Sequence, residues 1–176
     1  MNIEKIKHSI RNVSDFPIPG IQFKDVTTLF KDADCLVELS DGLYEMYKNS
    51  GITKVVGIES RGFIMGPILA TRLHVGFVPI RKSGKLPAAV YEESYEKEYG
   101  LDTIQIHKDA LTENDVILLH DDLLATGGTM LAACKLVQKF NPRKILVNFI
   151  VELEDLKGRL TFEKNIRVDS VIKYNI

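Results

Sequence analysis

Four short, continuously apolar runs set the fold class: KVVGI (54–58), GFVPI (76–80), DVILLH (115–120) and KILVNFIVEL (144–153). A strand with one face in water alternates apolar and polar residues. These runs do not alternate, so both of their faces must be covered. Between them lie helical segments at about 63–73 and 128–140, the second ending at Asn141-Pro142. Strand–helix–strand repetition with buried strands implies an α/β fold, a central mostly parallel sheet flanked by helices. The 176 residues fit one domain, 1–176, which buries roughly 70% of its unfolded surface without disulfide or metal support.

The rest of the chain reads around this frame. Residues 2–12 read as a short helix. DFPIPGIQFK (15–24) holds two prolines and a glycine and reads as irregular. Asp32 opens a longer helix with a stripe of Leu36, Leu39, Leu43, Met46 and Tyr47, stopped by Asn49 to Gly51. Residues 81–100, polar and tyrosine-rich, read as a long loop or loose hairpin, with LDTIQIH (101–107) as its return strand. SVIKY (170–174) reads as an edge strand.

In parallel sheets, ligands bind at the carboxyl ends of the strands. Three unusual loops, 59–62, 81–84 and 121–129, each follow a strand and are expected to converge on one edge. The last is the most informative. In VILLHDDLLATGGT (116–129), Asp121 and Asp122 stand at the strand end, and Thr126-Gly127-Gly128-Thr129 at a helix start. Glycines let backbone N–H groups approach a ligand, and a helix N-terminus favours an anion. Residues 125–129 therefore look like a phosphate cradle. Two carboxylates a few residues away suit sugar hydroxyls or a divalent cation instead. Together they describe a ribose 5-phosphate site. An ordinary capped helix needs one such residue, not this set. Neither the GxxxxGK loop followed by Ser or Thr nor GxGxxG is present.

Twenty-three Lys+Arg against 24 Asp+Glu give a net charge of −1, without the basic excess of a nucleic-acid binder. No apolar run approaches the ~20 residues of a membrane span, and the charged N-terminus carries no secretion signal. A cytoplasmic location is expected. Cys35 and Cys134 stand alone in apolar stretches and read as buried reduced thiols.

HDDLLATGGT resembles the phosphoribosyl-diphosphate motif of the type I phosphoribosyltransferase family. DFPIPGIQFKDVTTLF (15–30), GIESRGFIMGP (57–67), VPIRKSGKLP (78–87), ESYEKEYG (93–100), DDLLATGGTMLAAC (121–134) and LVNFIVELEDLKGR (146–159) extend the likeness over most of the chain. The acidic pair and the Thr-Gly-Gly-Thr run mark the family alone; the other segments are similar to its adenine-using branch. The resemblance implies the family fold, with a small N-terminal hood (about 1–34) over the base site and a mobile catalytic loop. It implies purine salvage, in which adenine and phosphoribosyl diphosphate give AMP and diphosphate.

Residue by residue, the resemblance assigns Asp121 and Asp122 to the ribose hydroxyls. Ala125, Thr126, Gly127, Gly128 and Thr129 take the 5-phosphate. Ser60, Arg61, Arg81, Lys82 and Lys85 take the diphosphate, with Arg61 and Glu98 as catalytic groups. A leaving diphosphate demands cationic neutralisation, shared with Mg²⁺ held by substrate oxygens and water rather than directly by the protein. Residues 87–100, with Tyr91, Tyr95 and Tyr99, fit a water-excluding lid. Glu98 is implied to meet adenine and handle its proton, and Tyr99 to pack over the closed site. Without the resemblance, Glu98 is one of four glutamates in a charge run between 92 and 98. Gln22, Phe23 and Lys24 match the hood segment whose backbone reads the base, with Phe23 stacking and Leu123 as the opposite wall. The family usually forms homodimers, so Arg81 and Lys82 could serve across an interface.

His120 departs from the family pattern, which has an apolar residue there. It reads either as a buried histidine or as a titrating group that tunes the acidic pair. The tail after Arg159 matches weakly and is assigned no role. Two rival functions are weighed. A type I enzyme for hypoxanthine, guanine, xanthine or orotate is opposed by the hood and EKEYG segments. A non-catalytic phosphoribosyl-diphosphate sensor would need an added DNA-binding segment.

Overall fold

The structure, a computed structural model, describes residues 1–16, 18–20, 22–97 and 100–175. In chain order the elements are α1 (Ile3–Ser9), β1 (Arg11–Ser14), β2 (Gln22–Asp25), α2 (Thr27–Phe30), α3 (Ala33–Tyr47), β3 (Lys54–Ile58) and α4 (Gly62–Leu73). Then follow β4 (Gly76–Lys82), β5 (Val90–Lys97), β6 (Gly100–His107), β7 (Val116–Leu124), α5 (Gly128–Gln138), β8 (Lys144–Leu153) and β9 (Arg167–Tyr174). Two 3-10 turns, Glu154–Leu156 and Gly158–Thr161, join the last two strands.

A seven-stranded sheet runs β5-β6-β4-β3-β7-β8-β9. Strands β4, β3, β7, β8 and β9 are parallel neighbours, and the β5–β6 hairpin adds antiparallel at one end. Successive residues of the apolar runs face opposite layers, as the strand period of two demands. Val55, Leu118 and Leu146 pack with Leu39 and Leu43 of α3 and Met65 and Leu69 of α4. Val56, Leu119 and Val147 pack on the other face with Met130 and Leu136 of α5. The reading of a mostly parallel sheet covered on both faces therefore holds.

Three local expectations are corrected. The N-terminal helix stops at Ser9, and Arg11–Ser14 instead pairs antiparallel with Gln22–Asp25. The proline- and glycine-bearing segment connects two strands rather than excluding them. β4 runs on to Lys82, so the first cations of the 81–84 loop lie on a strand end. Strand β7 continues past His120 to Leu124, because its pairing with β8 persists to Leu124↔Glu152. Asp121 and Asp122 therefore sit on a strand, not in a loop.

His120 is fully buried, and its Nδ1 lies 2.9 Å from Asn148 Oδ1 on β8. Burial pushes its pKa down to about 4, only partly opposed by the Asn148 bond. It is neutral across pH 5.5–8, which favours the buried reading over the titrating one. The unfolded chain holds this proton up to about pH 6.5, so the His120 contribution is full above that pH and is lost as pH falls towards 4. The loss is about 3 kcal/mol. His120→Leu, which strands the Asn148 carbonyl, is expected to be the less stable protein at pH 7. The gap to wild type should narrow by about that amount by pH 4 in denaturant titrations. Parallel stability curves would refute the assignment.

Candidate active site

The carboxyl ends of β3, β4 and β7 meet at one edge, as parallel topology requires. A cleft of about 490 Å³ there takes in Ser60, Arg61, Lys82, Lys85, Asp121 and Asp122. A smaller depression of about 190 Å³ takes in residues 123–130. Both share Arg61, Asp121 and Thr129, so the two spaces adjoin. The three suspected loops do converge.

The acidic pair is the electrostatic centre. Asp122 is only 2% exposed, whereas Asp121 is half-buried with its Oδ1 accepting the Asp122 N–H at 2.9 Å. Burial, and then the neighbouring Asp122 charge, hold the Asp121 carboxyl well above the usual carboxylate range. Burial also raises Asp122, against the opposing charge of Arg61. Arg61 Nε approaches Asp122 Oδ2 to 2.6 Å. Arg61 is thus the cation that faces this carboxylate. Carboxylate oxygens at the edge of a cleft suit the hydroxyl donors of a ligand. Gly62 makes the arrangement possible, since a Cβ there would stand 2.7 Å from His120 O. Helix α4 can therefore start directly against β7.

Residues 125–129 wrap the N-terminus of α5. Gly127, the residue before the helix, has φ +87°, a left-handed conformation open chiefly to glycine. A Cβ on it would meet Thr161 Oγ1 at 2.6 Å and Gly158 O at 2.8 Å. A Cβ on Gly158 would in turn meet Ala125 O at 2.2 Å. The 3-10 turn at Gly158–Thr161 is thus the back wall of the cradle. Sequence reasoning missed it, because the turn straddles the end of the last matching segment and nothing local marks its contact with Ala125 and Gly127. Gly158, the penultimate residue of the last matching segment, was the available signal.

The cations face the cradle across the cleft. Ser60 and Arg61 form the turn after β3, following a cis Glu59–Ser60 peptide. Each predicted cation has an acidic partner in this state. Arg61 meets Asp122, Lys82 Nζ lies 3.8 Å from Asp102, and Arg81 and Lys85 both meet Glu59 at 3.2 and 3.0 Å. Glu59 also accepts the Lys82 N–H at 3.1 Å. Burial alone would raise the Glu59 carboxyl, but Lys85, the Lys82 amide and Arg81 hold it at about 2. Arg81 does not line the cleft; its other nitrogen donates to Lys85 O at 3.2 Å. Buried Gln105 accepts the Gly84 N–H at 3.0 Å and fixes the turn from the other side. Glu59 and Gln105 are organising residues that the sequence reading did not single out. The ESRG turn displayed the first of them.

The β1–β2 hairpin brings Phe23 to the same edge, with the Arg61 guanidinium 6.0 Å from its ring centroid and Phe16 edge-on at 5.1 Å. Gln22 and Lys24 turn the other way. Gln22 Oε1 accepts from Asn12 and Ser14, and Lys24 Nζ donates to Asn12 Oδ1 at 3.0 Å. Of the three hood residues, only the Phe23 side chain approaches the site, so Gln22 and Lys24 could offer it only main chain. Leu123 lies beside Arg61 and Asp121 in the smaller depression. Tyr95 reaches the cleft from β5, with its ring 3.9 Å from where a Gly128 Cβ would stand. Tyr91 packs edge-on to Phe140 at 5.2 Å instead. Glu98 and Tyr99 lie outside the described residues.

Among the described residues, no three metal-ligating side chains cluster, and no helix is long and apolar enough to cross a membrane. Cys35 and Cys134 are both buried free thiols.

Comparison with known proteins agrees with this geometry. Residues 33–174 match the family model of the phosphoribosyl transferase domain. The chain is 70% identical over 172 residues to an adenine phosphoribosyltransferase of Bacteroides thetaiotaomicron, covering 98% of each. A Giardia lamblia adenine phosphoribosyltransferase structure complexed with 9-deazaadenine aligns with TM-score 0.94 and 42% identity, over 100% of this chain and 99% of that one. A Trypanosoma brucei adenine phosphoribosyl transferase structure holds AMP, pyrophosphate and ribose-5-phosphate. It aligns with TM-score 0.88 and 29% identity, over 97% of this chain and 79% of that one. With a site of two carboxylates, a glycine-lined helix start and a cation cluster at one sheet edge, the chain belongs to the adenine phosphoribosyltransferase family.

Proposed function

We propose that this edge moves the 5-phosphoribosyl group from phosphoribosyl diphosphate to adenine, giving AMP and diphosphate in purine salvage. The observation that carries the reading is the Asp121-Asp122 pair, with buried Asp122 held by Arg61, set between a helix N-terminus and a cation cluster. Ribose hydroxyls supply donors to Asp121 and Asp122. The N–H groups and hydroxyls of Ala125, Thr126, Gly127, Gly128 and Thr129 hold the 5-phosphate.

The bond from ribose C1 to the diphosphate oxygen breaks, and a bond from C1 to an adenine nitrogen forms. Charge then gathers on the leaving diphosphate, where Ser60, Arg61, Lys82 and Lys85 neutralise it. To do so, Arg61 must turn from Asp122, and Lys85 from Glu59, so substrate entry exchanges internal ion pairs for phosphate contacts. Magnesium held by substrate oxygens and water would offset diphosphate charge, and the acidic pair would suit its bound waters. Phe23 stacks on adenine with Leu123 opposite, the main chain of 22–24 reads its edge, and Glu98 handles its proton under a lid that includes Tyr99. The chain acts as one domain with a hood at about 1–34. It works as a cytoplasmic homodimer in which Arg81 serves the neighbouring site, consistent with its place outside the cleft.

Incubation with magnesium, adenine and phosphoribosyl diphosphate is the test. Equimolar AMP and diphosphate are expected. Tight binding of phosphoribosyl diphosphate without turnover would instead mark a sensing module.

A further inference from the structure

The last strand carries a side chain that grips both α1 and β2 of the hood. Tyr174 ends β9, paired with Leu153 of β8. Its ring lies 4.5 Å from Lys24 Nζ of β2 and 5.4 Å from Lys7 Nζ of α1. Its hydroxyl donates to Lys7 O at 3.2 Å. A two-stranded hairpin is marginal alone, so β1–β2 depends on such ties to the main sheet. Because strand residues alternate, Phe23 and Lys24 face opposite ways. Phe23 faces Arg61, and Lys24 faces Tyr174 and Asn12. The aromatic ring therefore grips β2 from the side away from the active site.

We propose that Tyr174 is a positioning and specificity-determining residue for the base, acting through Lys24 to fix the height and tilt of β2 over the site. This rests on the reading that the 22–24 main chain recognises adenine. A main-chain reader discriminates by the placement of its own N–H and C=O groups. A looser β2 should therefore lose adenine affinity and selectivity together while leaving the phosphate and ribose contacts intact. Two ring–cation contacts at a half-exposed site give an expected effect of about 5- to 20-fold.

The experiment is steady-state kinetics on Tyr174→Leu, Tyr174→Phe and Lys24→Met. Tyr174→Leu should raise the KM for adenine about 5- to 20-fold and lower the adenine-to-hypoxanthine ratio of kcat/KM. The KM for phosphoribosyl diphosphate should stay within about twofold. Tyr174→Phe keeps the ring and should stay near wild type. Lys24→Met removes the cation, keeps the main chain and should reproduce part of the Tyr174→Leu effect, which also decides the matter if Tyr174→Leu does not fold. An unchanged KM for adenine in Tyr174→Leu and Lys24→Met, or equal rises in both KM values, would overturn the proposal. Failure of the wild type to use adenine would instead overturn the underlying reading.

Discussion

Asp121→Asn is expected to lower turnover by about 10²- to 10³-fold and to make the protein more stable at pH 7. Both effects come from one charge. Asp121 is held protonated more readily than a free carboxyl, because burial and the Asp122 charge oppose its ionised form. A carboxyl whose folded pKa is raised destabilises the fold when ionised, and the penalty is relieved as pH falls through that pKa. Asparagine keeps the shape and removes the charge. A gain of about 1–2 kcal/mol should raise Tm by roughly 2–8 °C in a domain of this size. The activity loss follows from replacing a charge-assisted hydrogen bond to ribose by a weaker neutral one at the point where positive charge develops. Thermal melts and kinetics on the same sample decide it. Lost activity with a lowered Tm would make Asp121 a structural residue instead.

Gly158→Ala should damage phosphate binding although Gly158 lies in a stretch with no predicted contact to substrate. A Cβ there would sit 2.2 Å from Ala125 O and 3.0 Å from Gly127 N. These are main-chain atoms, so no side chain can swing away, and the cradle itself must move. Overpacking of this kind costs about 1–3 kcal/mol. The expected result is a rise of about 10- to 100-fold in the KM for phosphoribosyl diphosphate, with the KM for adenine little changed. Unchanged KM values for both substrates would show that the 158–161 turn does not set the cradle.

The layered sheet was legible because four apolar runs are too continuous for half-exposed strands. The acidic pair and glycine-rich helix start were legible because their chemistry is local, complete within Asp121 to Thr129. What escaped was set by partners distant in sequence. β1 looks like the end of a helix until Gln22–Asp25 pairs with it. Asp121 and Asp122 look like loop residues until β8 extends the ladder past them. Glu59 looks like one more surface charge until β4 brings Arg81, Lys82 and Lys85 around it. Tyr174 has no meaning in a weakly matching tail until β9 carries it beneath Lys24. Residue type states what a side chain can do, and strand order decides what it meets.

The most direct measurement is a base panel. Protein, magnesium and phosphoribosyl diphosphate are mixed separately with adenine, hypoxanthine, guanine, xanthine and orotate, and diphosphate release is followed. Rapid release with adenine, and release at least a hundredfold slower with the others, is the predicted result. Preferred turnover with another base would keep the ribose-phosphate site but contradict adenine recognition by the hood.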